Sequence, residues 1–353
     1  MMHVVGMLRD SSKRWDKLTK ISFLRKDYVS RGVFKMNLEG IRRICNLGTG
    51  TVGPGITLTF ALAGYEVNMY GRSNDSIKRG MNVITDMLKK LREHGLVQDS
   101  DILEIIGRIK GVTTLEEAAD GVDFVIESIV ENLSAKQEIF AKMERLCSVN
   151  TIFASSTSGL TTSAIAENLE YKERFIVAHF WNPPHLIPLV EIVPGQYTSQ
   201  NTTNITSKLL LKIGKKPVIL KKEALGFIGN RLQFAMLREA LSLIDSGVAT
   251  KEAIDTTIKY ALGRRLSTTG PLESADLSGL DIIYDISSYL FKDLCNDTSV
   301  SHTLTAPIDE GRLGTKTGSG FYEWTPNSLS KISKVREDNL IEWLKKDRNG
   351  YLE

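Results

Sequence analysis

A chain of 353 residues, 42% hydrophobic and 25% charged, is long enough to bury a substantial core and to divide into two domains. Its formal charge of +3 is too small to imply a nucleic-acid partner, and no basic or aromatic recognition stripe accompanies it. No apolar run reaches the roughly 20 residues that cross a bilayer, and Cys45, Cys147 and Cys295 lie far apart without metal-ligand spacing; the expectation is a cytoplasmic protein with neither a disulfide framework nor a metal site.

Residues 1–35 carry more basic than acidic side chains, show no clean period and lack the apolar stretch of a signal peptide. They are expected to form an extension outside the domain, ahead of an internal Met36. From residue 36 to about 220, short apolar runs at 41–47, 66–70, 124–128, 151–155 and 175–179 alternate with helix-period stretches. Such alternation predicts an α/β domain of the Rossmann type, a doubly wound parallel sheet covered on both faces. Beyond it the pattern changes. Residues 227–246, 251–262, 281–297 and 329–346 read as helices, so 221–353 is expected to be a mainly helical C-terminal domain.

The first strand runs into Gly48-Thr49-Gly50-Thr51-Val52-Gly53, which opens a helical stretch and is followed by a second strand. In that context a G-x-G-x-x-G string marks a dinucleotide site: Gly48, Gly50 and Gly53 allow the tight turn and close approach of the backbone, and the N–H groups around Thr51 and Val52 face the pyrophosphate. Asn46 departs from the pattern, being polar where such a strand is usually apolar. The second strand ends in Tyr70-Gly71-Arg72-Ser73, without the carboxylate that bonds the ribose 2′-hydroxyl of NAD. A guanidinium at Arg72 suits a 2′-phosphate, so the cofactor is NAD or NADP, with NADP favoured; the other reading has Arg72 stack on the adenine, compatible with either.

His179 ends a predicted parallel strand at the edge where doubly wound sheets bind ligands, with Ser158 on the same edge. Oxidation of a secondary alcohol needs a base for the hydroxyl proton, and histidine titrates in the working range. Glu191, twelve residues on, is placed to fix its tautomer and stabilise the imidazolium. His185, between Pro184 and Leu186, reads as a partly exposed loop histidine, and Lys89, Lys90 and Arg92 as one basic face of a helix.

Six further stretches complete the picture. They are Glu131 through Lys136, Ile152 through Ser158, His179 through Glu191, Gly226 through Leu232, Gly270 through Glu273, and Gly314 through Tyr322. In this order and spacing the chain, from 36 to about 325, resembles the L-3-hydroxyacyl-CoA dehydrogenases. Ser156, Asn182-Pro183-Pro184 and Pro188 through Glu191 look like the branch of lambda-crystallin, L-gulonate and carnitine dehydrogenases. The resemblance implies that His179 and Glu191 form an acid–base dyad and that Ser158 and Asn230 contact substrate and cofactor. It also implies that Glu131, Lys136 and Lys316 lie near the dinucleotide, although Glu131 and Lys136 also read as an exposed helix pair. The small-molecule substrate implied is a 3-hydroxyacyl-CoA, with a free hydroxy acid, sugar acid or carnitine-like compound as the alternative and a non-catalytic crystallin-like role as a third reading. A homodimer through the helical domain is likewise implied.

Overall fold

A computed structural model describes residues 37–350 in two units, divided between Glu223 and Ala224. The extension expected over 1–35 lies outside the described residues. In the first unit, β1 (Arg43–Leu47) is buried from Ile44 onward and α1 (Gly53–Leu62) is buried along nearly its whole length. Elements apolar on every side are stable only inside a layered sheet, which is why these two sit at its centre. By contrast, α2 (Asn74–Glu93) buries only Gly80, Ile84, Leu88 and Leu91, the stripe of a helix lying on one face.

Among the described residues eight strands form one sheet. After β1 come β2 (Glu66–Tyr70), α3 (Asp99–Gly107), β3 (Ile109–Val112) and β4 (Phe124–Glu127). Then follow α4 (Leu133–Leu146), β5 (Ile152–Ser155), β6 (Phe175–Phe180), β7 (Leu189–Val193), α5 (Gln200–Lys212) and β8 (Lys216–Ile219). Their order is β3-β2-β1-β4-β5-β6-β7-β8, so the chain reverses across the sheet between β1 and β4. The crevice at that switch point, outside the carboxyl ends of the strands, is where such sheets take their ligands. All neighbours are parallel except β6 and β7, which pair antiparallel.

Three of these strands go beyond the five expected. β3 and β8 are edge strands, and Lys110, Gly111, Lys216 and Pro217 break their apolar character as edges require. β7 is interrupted at its centre by Glu191, which hides an otherwise apolar run.

The second unit is helical: α6 (Gly229–Asp245), α7 (Lys251–Thr257), α8 (Pro271–Ser278), α9 (Leu280–Leu290), α10 (His302–Asp309) and α11 (Pro326–Arg348). A π-helical turn at Ile258–Leu262 carries α7 onward, and α9 ends short of the expected 297. No helix among the described residues is long and apolar enough to cross a membrane.

Candidate active site

The glycine loop at the end of β1 is held by tight contacts. A Cβ on Gly48, whose φ is +133°, would lie 2.7 Å from the Ser128 carbonyl oxygen, and one on Gly53 would lie 2.1 Å from the Gly48 carbonyl oxygen. No other residue fits at either position. A Cβ on Gly50 would meet nothing within 4 Å, so that side of the loop is open to a close-approaching ligand. No side chain caps the N-terminus of α1, which leaves its first N–H groups for an anion. The loop therefore fits a dinucleotide pyrophosphate. Asn46 now has an explanation: its Nδ2 lies 2.9 Å from Gly48 O, 3.0 Å from Gly53 O and 3.0 Å from Thr57 Oγ1, while Ser128 Oγ donates to its Oδ1 at 3.1 Å. One buried carboxamide thus ties both ends of the loop to the helix behind it.

At the end of β2, Gly71 N donates to Val112 O and Ser73 caps α2 in a reciprocal box with Ser76. Between these fixed residues Arg72 projects as an exposed side chain, and no carboxylate occupies residues 70–73.

A buried ionic cluster lies at the carboxyl ends of β4 and β5. Lys136 Nζ sits 2.7 Å from Glu127 Oε1 and 3.2 Å from Glu131 Oε2. Glu127 also accepts from Ser155 Oγ at 2.6 Å and from Ile129 N at 2.6 Å. Burial pushes the Glu127 carboxyl above the usual carboxylate range, against the pull of Lys136 and these donors. Burial acts the same way on Glu131, but the Thr157 hydroxyl, Lys136 and Ser158 N outweigh it and hold that carboxyl below its ordinary value. Glu131 and Lys136 do pair, but not as an exposed helix pair: Lys136 is buried, and Glu131 alone of the three reaches solvent. Sequence reasoning missed Glu127. Its signal was a carboxylate ending an apolar strand with a lysine nine residues on.

His179 and Glu191 are register partners on the antiparallel pair β6–β7, so their side chains share one face of the sheet. His179 Nδ1 lies 2.9 Å from Glu191 Oε2, and both residues are buried. With Nδ1–H donated to the carboxylate, the basic lone pair of the neutral imidazole is the one on Nε2. Trp181 Nε1 donates to the same Glu191 oxygen at 3.2 Å, and its ring lies 5.4 Å from the imidazole. Phe180 N donates to Ser156 Oγ at 3.2 Å, which draws the loop carrying the exposed Ser158 to the end of β6.

The turn after Trp181 is braced from two sides. Lys215 donates to the carbonyls of Pro184 and, at 3.0 Å, Ile187, while Pro184 packs so closely on Gly55 of α1 that a Cβ there would lie 2.9 Å from its ring. Burial lowers Lys215 to about 8. His185, expected to be partly exposed, is buried in this turn; burial, with Lys215 and Lys90 adding to it, lowers the imidazole to about 4. Of the basic face on α2, Arg92 is paired with Asp99 at 3.1 Å. Asn230 and Lys316 belong to the second unit, Asn230 in the first turn of α6 and Lys316 exposed in the Gly314–Ser319 turn.

Two family models match the chain: 3-hydroxyacyl-CoA dehydrogenase, NAD binding domain, over residues 43–224, and 3-hydroxyacyl-CoA dehydrogenase, C-terminal domain, over 226–324. Among curated relatives, the 5-formyl-3-hydroxy-2-methylpyridine 4-carboxylate 5-dehydrogenase of Mesorhizobium japonicum is 32% identical over 301 residues, 85% of this chain and 96% of that protein. A crystal structure of such a 5-dehydrogenase, described as an NAD+ dependent dismutase, matches with TM-score 0.82 at 31% identity, covering 87% of this chain and 99% of its own. The (S)-3-hydroxybutyryl-CoA dehydrogenase of Ralstonia eutropha matches with TM-score 0.68 at 30% identity, covering 81% of this chain and 99% of its own.

Proposed function

From the premise that this chain belongs to the 3-hydroxyacyl-CoA dehydrogenase family and is an oxidoreductase, we propose that it interconverts an L-3-hydroxyacyl-CoA and its 3-ketoacyl-CoA with His179 and Glu191 as the acid–base pair. The observation that carries this reading is the 2.9 Å contact between two buried side chains at the ligand-binding edge of the sheet. His179 Nε2 takes the hydroxyl proton as the alcohol is oxidised. The Glu191 carboxylate, fixed on Nδ1, holds the ring and stabilises the imidazolium until the proton leaves or, in reverse, is given to the ketone. Ser158, in the same unit as the pair, orients the substrate oxygen. A nicotinamide dinucleotide, when bound, supplies the hydride acceptor. Gly48, Gly50, Thr51, Val52 and Gly53 would hold its pyrophosphate. Glu131, kept ionised by Lys136 and Thr157, would lie near the dinucleotide. NADP is the proposed form, on the missing carboxylate and on Arg72.

A second reading, oxidation of a hydroxy or aldehyde group on a small carboxylate without CoA, is favoured by the larger overlap with the pyridine-carboxylate dismutase, TM-score 0.82 against 0.68. Both readings keep the dyad. His179→Ala should lower turnover by roughly two to four orders of magnitude with dinucleotide affinity little changed. Near-normal turnover would exclude His179 as the base. Assaying acetoacetyl-CoA reduction beside oxidation of free hydroxy acids and hydroxymethyl aromatic carboxylates separates the two substrate classes. A homodimer through the second unit belongs to the same proposal, supported by exposed Leu232, Phe234, Leu280, Tyr284 and Tyr289 on its helices. Sedimentation showing only monomer at micromolar concentration would overturn it.

A further inference from the structure

The oxygen of Glu191 that receives His179 Nδ1 also receives the indole N–H of Trp181. Two donors therefore meet at one atom. Trp181 is the first residue after β6, half-buried, with its ring inclined 48° to the imidazole. A phenylalanine there would fill similar space and touch the same ring, so packing alone does not call for a tryptophan. What the indole adds is a donor that can neither accept nor release a proton at any working pH.

Such a donor has two effects on a buried carboxylate. It fixes the oxygen in position, and it withdraws part of the negative charge that would otherwise bear on the imidazole. We propose that Trp181 is a positioning residue acting through Glu191: it keeps the carboxylate ionised and aimed at Nδ1, and it moderates how strongly the imidazolium is held, so that the proton taken from the alcohol is also released. This rests on the His179–Glu191 reading above.

Trp181→Phe removes the donor and keeps an aromatic ring. With the indole N–H gone, Glu191 bears more charge toward the ring and the imidazolium is held more tightly. The acid limb of kcat/KM for oxidation should then move to higher pH by about half to one unit, the scale of one hydrogen bond to a charged group partly transmitted to its neighbour. One unit below the wild-type midpoint, kcat/KM should fall about 3- to 10-fold relative to the plateau change. In a Glu191→Gln background the same substitution should leave the limb where it is, because a neutral amide has no charge for the indole to moderate. Site-specific replacement of Trp181 by 3-benzothienylalanine, which exchanges the N–H for sulfur in a ring of the same shape, should reproduce the shift even if the phenylalanine variant folds poorly.

A limb that coincides with wild type in both variants, while His179→Ala abolishes turnover, would overturn the role of Trp181 and leave the dyad intact. An equal shift in the Glu191→Gln background would also overturn it, since the effect would then bypass Glu191. Turnover surviving His179→Ala would remove the dyad reading itself.

Discussion

Replacing Lys136 by Met would test the buried cluster at the carboxyl ends of β4 and β5. The ammonium is the only cation within 4 Å of Glu127 among the described residues, and both side chains are almost fully buried. Removing one partner of such a pair costs about 3–5 kcal/mol, because the other is left desolvated without compensation. Here the lower end, about 3 kcal/mol at pH 8, is expected, since Ser155 Oγ and Ile129 N still donate to Glu127. The deficit should depend on pH. Burial already raises the Glu127 carboxyl in the folded chain, and loss of Lys136 raises it further. A carboxyl whose folded pKa is raised binds its proton in the native state before it does so in the unfolded state, so its contribution is fully present below the unfolded pKa and is lost as pH rises through the folded one. The variant should therefore be closest to wild type near pH 5 and fall behind it with a slope of at most about 1.4 kcal/mol per pH unit. Urea unfolding at pH 5.5, 7 and 8.5 measures this, and Glu127→Gln with Lys136→Met should recover most of the loss by removing both charges. A deficit equal at pH 5.5 and 8.5, or one that adds to that of Glu127→Gln, would refute the coupling.

Two other predictions concern single side chains. Arg72→Ala should weaken NADP by about 1.5–3 kcal/mol and leave NAD nearly unchanged, as titrations with each dinucleotide would show; a wild-type preference for NAD would sink the phosphate role. His185, lowered to about 4 in the folded chain from an ordinary 6.5, refuses a proton that the unfolded chain accepts, so its share of stability is present above about pH 6.5 and is lost as pH falls toward 4. That share is at most about 3 kcal/mol, and in His185→Leu the stability difference from wild type should shift in the variant's favour between pH 7 and 4.5; a constant difference would count against it.

What could be read in the sequence was what repeats or what is fixed by spacing. Gly48 and Gly53 announced the loop because no other residue survives in their contacts, and the alternation of strands and helices announced the sheet. That His179 and Glu191 would pair was legible from the resemblance of the 179–191 stretch; the local cause of the contact, an antiparallel pair in a parallel sheet, was not, because Glu191 masks β7. Asn46, Glu127 and Trp181 acquire their roles from contacts that only the fold assembles: Asn46 with the glycine loop, Thr57 and Ser128, Glu127 with Lys136 and Ser155, and Trp181 with Glu191. Such contacts leave no periodic trace, and each looked like an isolated polar or aromatic residue. In the second unit, α8 was not expected: a Gly-Pro pair is a common turn signal, yet here Pro271 begins the helix and Glu273 accepts from Gly270 N at 2.7 Å. Pro307 similarly disguised α10.

The pairing of His179 with Glu191 as one rung of an antiparallel ladder has a consequence for how this protein tolerates change. An insertion or deletion within either strand would turn one of the two side chains to the far side of the sheet and break the contact between them. Within residues 182–188 the same event leaves the rung standing, since the two strands are held to each other by their own ladder and by β5 and β8 on either side. The length of that turn is thus open to change while the contact between His179 and Glu191 stays in place.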